Sequence, residues 1–64
     1  MAPYVEALLL ELIRDLPLMA KSMDRADFRA AAMFRCGEIL TLAPQVDVPS
    51  LSLQMERLQA IYGW

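Results

Sequence analysis

The chain has 64 residues, 58% of them apolar, with a net charge of −2, one cysteine and no histidine. A chain this short makes one small domain, residues 1–64, that buries only about 60% of its unfolded surface, and neither a disulfide nor a zinc site with histidine ligands can staple it. The missing histidine also excludes Ser-His-Asp and Cys-His catalysis, histidine-ligated metals and histidine phosphotransfer, while so mild a charge gives no reason to expect a polyanion partner.

Association with another copy or with a larger protein is the remaining source of stability. The apolar fraction points the same way, since about 45–50% is usual for soluble domains. Charges at Glu6, Glu11, Arg14 and Asp15 break every apolar run short of the ~20 residues that a membrane span needs. The first charged residue is acidic Glu6, where a secretory leader carries basic residues. With a free Cys36, the expected location is the reducing cytoplasm.

The segment from Pro3 to Met23 has the clearest helical period. On a wheel of about 100° per residue, Val5, Leu8, Leu9, Leu12, Ile13, Leu16, Met19, Ala20 and Met23 fall in an arc of roughly 140°. Pro3 suits a first helical turn. Pro17 ordinarily ends a helix, yet the apolar phase continues past it, so the spacing predicts one long helix over 3–23 kinked at Pro17. Glu6, Glu11 and Asp15 read as solvated helix charges, with Glu11 paired to Arg14 at i,i+3.

A second helix is expected over 24–42, opened by Asp24 as N-cap with Asp27 three residues on, and stopped before Pro44. Its apolar face runs through Phe28, Ala30, Ala32, Met33, Cys36, Gly37, Ile39 and Leu40, an arc of roughly 200° that one neighbouring helix cannot cover. Small residues in this helix allow another backbone to approach closely. Arg29 projects within the apolar arc, and Lys21, Arg25 and Arg29 form a short basic series. Cys36 reads as a buried core thiol. The prolines of Ala43–Pro49 mark an ordered connector, and a third, short helix is expected over 50–62, with Leu51, Met55, Leu58 and Tyr62 as its stripe and Gly63 as the residue that ends it. Trp64, Leu53 and Ala60 lie off that stripe.

The stretch Asp27-Phe28-Arg29-Ala30-Ala31, followed by Ile39-Leu40-Thr41-Leu42-Ala43-Pro44, resembles the second helix of a tetratricopeptide unit, with a spacing one residue longer. The resemblance covers less than a third of the chain, and a single unit forms no stacked array. In overall build the chain is similar to small bacterial secretion chaperones and to phage or plasmid regulators.

The expected fold is all-α: a Pro-kinked helical hairpin with a short third helix packed across it, dimerising into a helical bundle. The expected function is a non-catalytic protein-interaction module, a chaperone, adaptor or inhibitor of a larger protein, acting as a homodimer through apolar helix faces. Ala30, Met33, Gly37, Leu40, Arg29 and Trp64 are the expected partner or dimer interface. No catalytic residue, cofactor or metal is expected, and neither nucleic acid nor membrane is an expected partner. The alternative is a small dimeric DNA-binding transcriptional regulator using Arg25 and Arg29.

Overall fold

Pro3 opens the first helix at no cost in hydrogen bonding, because first-turn amides have no intrahelical acceptor. In the computed structural model, which describes residues 1–64, α1 spans Pro3–Ser22, α2 Arg25–Leu42 and α3 Val48–Tyr62, with a 3-10 turn at Gln45–Asp47 before α3. The three helices lie side by side in a body of 34 × 17 × 17 Å. No strand is present, and no helix is long and apolar enough to cross a membrane.

α1 runs through Pro17 without interruption. Pro17 lies on an exposed face, where water can satisfy the Ile13 carbonyl that a proline nitrogen cannot. α2 starts where the sequence places its cap: Asp24 Oδ1 accepts the Asp27 amide at 2.8 Å. α3 begins two residues earlier than expected, at Val48 rather than Ser50. The Asp47 amide donates to the Pro44 carbonyl at 2.9 Å to close the 3-10 turn, and Pro49 then falls in the first turn of α3, where a proline starts a helix instead of blocking it.

The core holds one cluster of buried apolar side chains: Val5, Leu9, Leu12 and Leu16 from α1; Phe28, Ala32, Cys36 and Ile39 from α2; Leu51, Met55 and Leu58 from α3. The expected inner face of α1 was too wide. Leu8 and Met19 are half-buried, while Ile13, Ala20 and Met23 are exposed, because two neighbouring helices cover only the row spaced 5, 9, 12, 16 and leave the flank beyond it open. Met23 has also left the helix, with extended φ −117° and ψ 150°.

Polar contacts fix the corners. Asp47, only 8% exposed, accepts the Ala2 amide on Oδ2 at 3.0 Å, and its Oδ1 lies 3.8 Å from the Met1 amino nitrogen. Ala2 caps α1 with no side-chain bond of its own, so a carboxylate 45 residues on in the sequence caps α1 and faces the positive end of its dipole. At the same end, the Tyr4 hydroxyl donates to the Leu42 carbonyl at 3.0 Å.

Between α1 and α2, both terminal nitrogens of Arg35 donate to Asp15 Oδ2 at 3.2 Å, and Arg14 Nε donates to Oδ1 at 3.3 Å. Asp15 is therefore half-buried between two guanidinium groups rather than a solvated charge, and Arg14 pairs with it instead of with Glu11. Loss of hydration pushes the Asp15 carboxyl up, but the hydrogen bonds and charges of Arg14 and Arg35 outweigh it and hold the group below the usual carboxylate range.

Two stability measurements check this account. Leu12, with no exposed surface, should lose about 2–5 kcal/mol on Leu12→Ala in urea unfolding, while Leu18→Ala, at an exposed position of the same helix, should lose less than about 1. Equal losses would mean the core row is misplaced. For Asp15, a depressed folded-state value means the stabilisation is present above the unfolded value near 4 and disappears as pH falls through the folded one. Asp15→Asn should therefore melt below wild type at pH 7, with the two Tm values converging as pH drops toward about 2. A gap that persists in acid would show that the pair is not the cause.

Candidate functional site

α2 packs its inner face on α1 and the adjoining edge on α3, and the remainder stays open. Met33, Gly37 and Leu40 recur at helical spacing, so they stand on one flank of α2. Met55 and Glu56 of α3 stand opposite them, and Trp64 closes one end; together these groups bound a groove of about 360 Å³. Met33 is 53% exposed, Gly37 is exposed, and Leu40 is half-buried against the core. A Cβ built on Gly37 meets nothing within 4 Å, so the floor of the groove is open backbone at that point.

Trp64 reaches the groove through local geometry that the helical wheel does not carry. Gly63 adopts φ 76°, in the left-handed region that a residue with a Cβ enters only with strain, and its amide donates to the Gln59 carbonyl at 2.7 Å. The chain turns back there. Trp64 then meets the Phe28 ring edge-on, with centroids 6.0 Å apart and planes at 80°, and stacks on Tyr62 at 6.4 Å and 29°. Phe28 and Tyr62 complete the trio at 6.1 Å. Nη2 of Arg25 donates to the Gly63 carbonyl at 3.0 Å and holds the turn.

Of the expected interface residues, Met33, Gly37, Leu40 and Trp64 therefore converge on one groove. Ala30 and Arg29, both exposed, border a second depression of about 520 Å³ that shares Met33 and begins beside Arg25. Met55 was expected on the α3 stripe but not among the interface residues, and Glu56 and the Arg25–Gly63 contact were not singled out in the sequence. Arg25 to Gly63 joins residues 38 apart and no local pattern announces it.

Chemically the groove offers contact. Burial pushes the Cys36 thiol up, against a smaller opposing pull from the Arg35 charge, so it stays protonated at neutral pH and is a weak nucleophile. No group of three or more His, Cys, Asp or Glu side chains gathers as a metal site. No known family model, characterised protein or solved structure matches this chain, so the tetratricopeptide-like stretch stands as a local likeness over α2 and the two residues after it.

Trp64 is the only tryptophan, so its fluorescence reports the docked terminus directly. Gly63→Val should strain the left-handed turn and shift the emission to the red while circular dichroism stays near wild type. Emission unchanged from wild type would mean Trp64 does not depend on that turn.

Proposed function

We propose that this protein is a non-catalytic interaction module, a chaperone, adaptor or inhibitor that receives an apolar helix of a larger protein in the groove between α2 and α3 and works as a homodimer. One observation carries the reading. Three apolar or small groups expected from the helical phase of α2, Met33, Gly37 and Leu40, line a single open groove with Trp64 at its edge, in a chain that leaves twelve large apolar side chains exposed, from Met1 to Ile61. Exposed apolar surface beyond scattered single residues marks interaction sites in soluble domains. Met33 and Met55 give such a groove walls that adjust to different occupants, and the buried thiol fits a cytoplasmic setting. The DNA-binding alternative needs Arg25 and Arg29 free at the start of α2, but Arg25 is engaged on the Gly63 carbonyl, which leaves Arg29 and Lys21 to contact phosphate.

Gly37→Arg tests the groove without touching the core. Open space at Gly37 and the poor helix propensity of glycine mean the helices should form as in wild type, while a long cationic side chain fills the groove. Tagged chain used as bait in its native host should retain a partner that the Gly37→Arg bait loses, with matching circular dichroism spectra. Unfolding of Gly37→Arg, or undiminished capture, would place the contact face elsewhere.

A further inference from the structure

α1 carries a second apolar row that the core does not use. Leu10, Ile13, Pro17 and Ala20 follow at spacings of three, four and three, the repeat of a helix-packing seam. All four are exposed, Leu10 at 59% and Ile13 at 39%. Glu6 lies one turn before the row and Lys21 ends it. Both are exposed and neither makes an ion pair or side-chain hydrogen bond within the chain. At about 100° per residue the row and its two charges span an arc of roughly 100°. Glu6, Leu10 and Ile13 also wall a depression of about 360 Å³ shared with Gln54 of α3.

The charges decide what fits this face. A parallel second copy would set Glu6 against Glu6 and Lys21 against Lys21, two like-charge contacts. Reversing the second copy sets Glu6 opposite its Lys21, and the same register sets Leu10 opposite its Pro17, with Ile13 next to the two-fold axis. A two-fold axis makes every such contact occur twice, so the acid at one end and the base at the other become two complementary pairs flanking an apolar centre. The short side chains of Pro17 and Ala20 suit helix axes 8–10 Å apart. We propose that a second copy of this chain covers this row, with the two α1 helices antiparallel and Glu6 of each paired with Lys21 of the other. This deepens the homodimer part of the proposed function and leaves the groove between α2 and α3 free for another protein.

Charge exchange tests it in the full chain, with light scattering after gel filtration and sedimentation equilibrium as readouts. Glu6→Lys alone and Lys21→Glu alone each turn both pairs repulsive and should weaken self-association on the order of tenfold or more. An equimolar mixture of the two single variants, and the double variant, should regain it. Ile13→Arg, at an exposed position, should abolish the dimer with helicity unchanged, which guards against a charge variant that folds poorly. A wild-type chain that stays monomeric at high micromolar concentration overturns the proposal and the homodimer reading together. A dimer that is indifferent to the single charge changes and to Ile13→Arg, or one lost in Gly37→Arg, overturns the α1 seam and leaves self-association standing.

Discussion

Leu12 stands at the middle of α1 with no exposed surface, and Val5 and Leu16 repeat that burial toward each end, with Leu51 of α3 closed against the same row. Few other side chains reach such burial. A chain of this length places little apolar surface fully out of water, so the favourable burial is concentrated in the one cluster to which all three helices contribute. α2 contributes Ala32 and Cys36 where α1 and α3 contribute leucine. Small groups there let α1 and α3 approach α2 closely, at the cost of less area per residue, and the most extensive helix contact is that of α1 with α2.

That economy explains where the polar contacts sit. Each occurs where two elements distant in sequence meet at an edge of the core: Asp47 with Ala2, Tyr4 with Leu42, Asp15 with Arg35, Arg25 with Gly63. A single exposed ion pair adds little, but Asp47 is buried and satisfies an amide that has no partner in its own helix. Removing such an acceptor leaves the amide unpaired, and that costs more than the bond itself contributes. The capping contact therefore sets the register of α3 alongside α1, a parallel pair that no direct connection enforces.

Helical periodicity read the residues whose neighbours are one or two turns away. The α1 row, the Asp24 cap and the Gly63 stop were legible because each depends on spacing or on a single backbone angle. Pro49 was misread as part of a connector, since a proline stops one helix and starts another with the same ring, and only the preceding 3-10 turn decides between them. Asp15 was read as a solvated helix charge, because the spacing along α1 offers no sign of the guanidinium twenty residues on that it pairs with. Ile13 and Ala20 were placed inward because a wheel records the width of an apolar arc and not how much of it neighbours cover. In the groove, Met33, Gly37 and Leu40 were reachable from α2 alone, whereas its α3 wall required knowing how the two helices lie together.

The surplus of that arc is the physical link between fold and proposed function. An isolated three-helix body needs only one inner row per helix, and additional apolar residues on α1 add aggregation risk without adding core. Random surplus would scatter around the helix. Here part of it, Leu10, Ile13, Pro17 and Ala20, forms a row at three- and four-residue spacing with opposite charges at its ends, while Tyr4 and Leu18 lie off that row, and the α2 surplus gathers on another side, around Gly37. Under the proposal each row has its own contact, and a face whose charges complement a reversed copy of itself is covered by a second copy. Under the proposal, α1 of the second copy supplies apolar burial that 64 residues alone cannot, and the groove on the other side of α3 meets its occupant on a body already stabilised by pairing. That order matters energetically, because a helix docking on a marginal monomer would have to offset the folding equilibrium of its receptor before any affinity appeared.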